Sequence, residues 1–106
     1  MPPVPTAPTN LVAAVGNGQA VLSWAGPPNA TAYTVLRGTA SGGESTVIAS
    51  NVSVTSATDT GLSNGTTYYY VVTAANLSGT SGNSNEASVT PTASAPARKD
   101  GRPKNP

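Results

Sequence analysis

The chain has 106 residues and a mass of 10.4 kDa, room for one hydrophobic core, since two would each be too small to fold without disulfides or a metal. It holds no cysteine and no histidine, which removes thiol chemistry, the commonest general base and the commonest neutral metal ligand. Only 8% of residues are charged and the net charge is +1, far from the broad basic surface that nucleic acid requires, and no apolar run is long enough to span a membrane.

The opening, MPPVPTAPT, has no basic stretch followed by an apolar run, so residues 1–7 read as a proline-rich linker and not as a signal peptide. From residue 10 onward, period-two alternation dominates, and no window of a dozen residues keeps helical spacing without meeting Gly or a Ser/Thr/Asn cluster. Seven strands are predicted, over 10–15, 19–24, 32–37, 46–50, 52–58, 67–75 and 85–90. Gly16, Asn17 and Gly18 form a tight hairpin turn between the first two, because Asn-Gly accepts positive φ. Alternation turns Leu11, Ala13 and Val15 inward on the first strand and Ala20, Leu22 and Trp24 inward on the second. Tyr33 and Val35 follow on the third. Strand five has two phases, with Val52 and Val54 competing against Thr55 and Ala57 for the inner face. On the sixth, Tyr68, Tyr70, Val72 and Ala74 point inward, leaving Tyr69 outside beside Val71 and Leu36. The expected core is Leu22, Trp24, Tyr33, Val35, Leu62, Tyr68, Tyr70 and Val72. Seven short strands separated by Gly, Asn and Ser turns give an all-β, antiparallel, two-sheet sandwich over 8–91. The final stretch, 92–106, holds Arg98, Lys99, Asp100, Arg102 and Lys104 and reads as a disordered basic tail or linker.

Three acids lie in the body, and each has a structural explanation. Asp59 is expected to accept backbone N–H bonds in the turn at Thr60-Gly61-Leu62, while Glu44 sits after the Ser41-Gly42-Gly43 loop and Glu86 opens the last strand. No second acid stands near any of them in sequence, as paired-carboxylate catalysis would need, and no basic residue is placed to activate a hydroxyl. Gly42-Gly43 is followed by neither a helix nor a lysine, so it is a turn and not a phosphate loop. The chain is therefore expected to be no enzyme, with no cofactor and no metal.

Several of these residues stand together in a pattern that resembles the fibronectin type III domain: Pro8, Leu11 and Ala13; Leu22-Ser23-Trp24 with Pro27; Tyr33-Thr34-Val35-Leu36-Arg37; Asp59-Thr60-Gly61-Leu62 with Gly65-Thr66; Tyr68, Tyr70, Val72, Ala74 and Asn76; and Ser84-Asn85-Glu86. The resemblance implies a seven-stranded sandwich of immunoglobulin-like type, with Tyr68 as the corner tyrosine, its hydroxyl bonded to backbone near Leu62. Asn64-Gly65 replaces the Pro-Gly frequent in that family, and small Ala57 and Ala87 stand where bulkier residues are usual. The loop before the last strand lacks Arg-Gly-Asp, and a single tryptophan excludes the Trp-Ser-x-Trp-Ser signature of cytokine receptors.

Few charges, many small polar residues and Pro-Thr-Ala flanks resemble the modules of secreted bacterial polysaccharide-degrading enzymes. That resemblance implies an extracellular spacer whose partners are the flanking domains of its own chain, with a monomer expected and neither nucleic acid nor membrane involved. The alternative is a module that binds polysaccharide or protein weakly through Tyr69, or one that serves cell-surface adhesion.

Overall fold

The computed structural model describes residues 3–93; the basic part of the tail lies outside them. The described residues form eight strands and no helix: β1 Thr9–Gly16, β2 Gln19–Ala25, β3 Ala32–Gly38, β4 Thr46–Val52, β5 Ser56–Asp59, β6 Tyr68–Asn76, β7 Gly79–Thr80 and β8 Ala87–Val89. They build two antiparallel sheets, β1-β2-β5 and β4-β3-β6, with β7 and β8 both paired to the far side of β6. The all-β, two-sheet sandwich inferred from alternation is the fold. The one strand beyond the seven expected is β7, two residues in the stretch read as a loop before the last strand, while the expected strand over 85–90 is β8. Between them Ser81 and Ser84 use their hydroxyls in place of main-chain carbonyls, accepting from Ala74 N at 2.8 Å and Val72 N at 2.9 Å. The chain stays fastened to β6 there without regular strand geometry.

Trp24 and Tyr33 meet across the sandwich, one from each sheet, with ring centroids 5.5 Å apart and planes at 67°, the edge-to-face arrangement that suits aromatic quadrupoles. Tyr33 also lies so close over Gly26 that a Cβ there would collide with its hydroxyl. Around this pair pack Leu11, Ala20, Leu22, Val35, Leu62, Tyr68, Tyr70, Val72, Ala74 and Val89. Strand five resolves its phase in favour of Ala57, which packs against the core, and Val52 belongs to β4 and also faces inward, while Val54 is exposed. Val15 departs from expectation: one residue from the hairpin turn, on an edge strand, it remains 55% exposed. The hairpin turn also differs, because positive φ is confined to Gly18.

A bulge in β1 decides how the sheets are closed along one side. Asn10 and Leu11 together oppose Trp24, with Asn10 at φ 56°, and the Leu11 main chain is thereby released from the ladder. The Asn85 side chain takes both groups, accepting from Leu11 N at 2.9 Å and donating to Leu11 O at 3.0 Å. A single amide thus joins the edge of one sheet to the segment leading into β8. Truncating Trp24 to Ala should cost about 3 to 5 kcal/mol in a urea melt, since the cavity cannot collapse between two pleated sheets. A midpoint equal to wild type would place the ring outside the core.

Candidate functional site

The inner face carries one polar cluster. Tyr33, Val35 and Arg37 share a parity on β3, so the inward side of that strand ends in a guanidinium, and Ala57 and Asp59 do the same on β5. The two ends meet: Arg37 Nη1 donates to Asp59 Oδ2 at 2.8 Å and the Tyr70 hydroxyl donates to the same oxygen at 2.9 Å. Asp59 was expected to accept backbone N–H bonds in its turn; the structure gives it side-chain partners instead, because its side chain points across the sandwich and not along the loop. Burial, reinforced by the hydrogen bond it donates to Asp59, holds the Tyr70 phenol protonated far above its ordinary range. The hydrogen bond to Asp59 likewise raises the Arg37 pKa. The Arg37 guanidinium also lies over the Tyr68 ring, 5.5 Å from its centroid. A signal for this cluster was present in the sequence, since a tyrosine assigned to the core needs a partner for its hydroxyl.

Tyr68 completes the corner. Its hydroxyl accepts from Ser63 N at 2.9 Å, next to Leu62 as the resemblance implies, while Leu62 N donates to Gly18 O at 2.9 Å. The β5–β6 connection is thereby tied to both Tyr68 on β6 and the first hairpin.

Glu44 and Glu86, separate in sequence, stand together in space. Glu86 accepts from Ser41 Oγ at 2.7 Å and Gly42 N at 2.8 Å, bracing the β3–β4 loop against the start of β8. Its bonds, the one involving Glu44 foremost, lower its pKa. Burial, then the neighbouring Glu86, raises that of Glu44, whose Oε2 is enclosed without a hydrogen-bond partner. Among the described residues no three metal-ligating side chains cluster together.

Tyr69 lies on the outer face of β6, half-buried, paired with Gly38 and Ser88. Val71 on that same face is only 4% exposed and pairs with Leu36, so Tyr69 borders a covered apolar patch instead of standing clear. The outer face of the three-stranded sheet presents Val12 and Val21 to solvent, and Leu77, at the β6–β7 turn, is 97% exposed. The eight residues expected in the core, from Leu22 and Trp24 to Val72, are all buried and belong to one cluster.

The model of the fibronectin type III domain matches residues 6–90. The chain belongs to this family. Amylopullulanases of Thermoanaerobacterium thermosulfurigenes and Thermoanaerobacterium saccharolyticum are 41% identical over 88 residues and 43% identical over 70. These stretches are 82% and 66% of this chain but only 5% and 6% of the enzymes, so this fibronectin type III domain corresponds to a small segment of much larger polysaccharide-degrading proteins. Among solved structures, a Fn3-like protein from Clostridium thermocellum superposes with a TM-score of 0.77 at 40% identity, covering 90% of this chain and 97% of that one. A β-1,2-glucanase from Parabacteroides distasonis contains the same fold, with a TM-score of 0.76 at 22% identity over 92% of this chain and 14% of the enzyme.

Tyr70→Phe should destabilise the domain by about 1 to 3 kcal/mol, because the buried carboxylate loses a donor, and Tyr68→Phe should do so by a similar amount through the orphaned Ser63 N–H; chemical denaturation measures both. For Glu44, a pKa raised by folding means that the folded state disfavours the carboxylate. The penalty is present above the folded pKa and vanishes as pH falls below the ordinary glutamate value of about 4.3. Glu44→Gln should therefore melt above wild type at pH 7, with the difference closing in acid, as a pH series of thermal melts would show.

Proposed function

We infer that this fibronectin type III domain is a non-catalytic spacer within a secreted multidomain protein of the glycoside hydrolase kind. The observation that carries the reading is where its two ends leave the body. At one pole, Pro3 O accepts from Asn29 Nδ2 at 3.1 Å, in the β2–β3 loop, and from Asn76 Nδ2 at 2.7 Å, at the end of β6; Pro5 and Pro8 are buried. At the opposite pole, Pro91 is buried, its carbonyl accepts from Gly65 N at 2.8 Å, and Thr92 N donates to Gly16 O at 3.3 Å.

Entry and exit at opposite ends, each stitched to loops of the body, suit a unit that holds two neighbours apart in a defined direction. The larger enzymes that carry similar segments support this context, of which an extracellular location is part of the proposal. Cysteines introduced at Thr6 and Thr92 and spin-labelled should give one narrow distance distribution, and Asn76→Ala should broaden it. A broad distribution in the unmodified domain would remove rigidity from the role.

Tyr69 offers the competing role of polysaccharide contact. One ring contributes on the order of 1 to 3 kcal/mol, by analogy with bases stacked on aromatics, whereas even millimolar affinity needs about 4 kcal/mol. The isolated domain should accordingly fail to sediment with cellulose, chitin or xylan and should show no retardation by pullulan. Deleting it between its neighbours should lower activity on insoluble polymer and leave soluble oligomers unaffected, since a spacer acts through the effective concentration of two domains on one surface. Sedimentation that is lost on Tyr69→Ala would make the binding role the better one.

A further inference from the structure

Two asparagine–glycine pairs, Asn17-Gly18 and Asn64-Gly65, lie 47 residues apart in sequence and interlock at the pole from which the chain leaves. Asn64 Oδ1 accepts from Gly18 N at 2.8 Å, and Asn64 Nδ2 donates to Asn17 Oδ1 at 2.9 Å. Gly65 N donates to Pro91 O at 2.8 Å. Both asparagines are exposed to water, so neither is shielded by burial.

Asparagine followed by glycine is the sequence most prone to lose its side-chain amide, because no Cβ obstructs the ring closure. The glycine nitrogen gives up its proton to hydroxide and attacks the asparagine Cγ. A C–N bond forms, the Cγ–Nδ2 bond breaks, and ammonia departs to leave a cyclic imide. Water then opens the ring at either carbonyl, giving an aspartyl or isoaspartyl link; the net change is water taken up and ammonia released. The ring closure requires a glycine nitrogen free of other acceptors, and a carboxamide able to swing over it.

In this domain both attacking nitrogens are committed as donors, Gly18 N to the other asparagine and Gly65 N to the exiting chain. The carboxamides of Asn17 and Asn64 are held against one another. We propose that Asn17 and Asn64 are latent imide-forming sites, each kept closed by the interlock and by the Pro91 carbonyl, so that the fastened exit protects the pole against chemical ageing. The protection has an order built into it. Conversion of Asn64 to a carboxylate removes the donor that holds Asn17 Oδ1, so release of the chain at Pro91 exposes Gly65 N first and Asn17 second.

The experiment incubates the full chain at pH 8.5 and 37 °C and follows both sites by peptide mass spectrometry, with the same chain unfolded in guanidinium as the unprotected reference. A hydrogen bond of ordinary net strength on each nitrogen should slow conversion by about ten-fold in the native chain. Asn64→Ala should speed conversion at Asn17 by a similar factor while the domain remains folded by thermal melt. Asn85→Ala, which loosens the fold at the β1 edge without touching the interlock, separates local release from global opening and should leave Asn17 slow. Native rates equal to the unfolded ones, an Asn17 rate indifferent to Asn64→Ala, or equal acceleration by Asn85→Ala would each overturn the proposal. None of these outcomes bears on whether the domain is a spacer.

Discussion

Asp59 stands at the end of β5 in one sheet and receives its hydrogen bonds from Arg37 and Tyr70 in the other. A carboxylate in that position is costly to desolvate unless both partners arrive with good geometry, so the cluster ties the spacing of the sheets to the register of β3 and β6. The remaining architecture is compatible with that tie. Trp24 against Tyr33 sets the separation elsewhere in the sandwich, and Tyr68 fixes the crossover through Ser63. Three of the four tyrosines thus use an apolar ring for packing while their hydroxyls meet polar partners or the surface, which is how a core with no phenylalanine holds its volume.

Outside the core the molecule relies on amides and hydroxyls where other proteins use charge. Asn85 closes the β1 edge, Ser81 and Ser84 carry the stretch between β7 and β8, Asn29 and Asn76 hold the incoming chain, and Asn17 with Asn64 locks the outgoing pole. Short neutral side chains lose little rotamer entropy on being ordered and are indifferent to salt screening. Such bonds keep the seams of the module independent of the ionic strength around it. Val12 and Val21 on the three-stranded sheet and Leu77 at the entry pole remain exposed to solvent.

The family pattern, the two-sheet sandwich and the inner-face residues followed from the sequence alone, because a period of two with one dry face leaves each strand a single acceptable orientation. Where that signal weakened, the structure had to decide. Val52 and Ala57 both face inward because one belongs to β4 and the other to β5, a boundary that composition did not mark. Val15 carries the right parity yet stays exposed, since parity says which face a side chain takes and not whether the opposite sheet extends far enough to cover it.

The polar partnerships were the least legible. Asp59 with Arg37, Glu44 with Glu86, Asn85 with Leu11 and Asn17 with Asn64 join residues 22 to 74 positions apart, or 42 and 47 in the second and last cases. Local sequence determines strand, turn and buried face through short-range sterics and hydrophobic alternation. Which carboxylate meets which guanidinium, and which amide closes which edge, depends on distances between strands that exist only once the two sheets have packed.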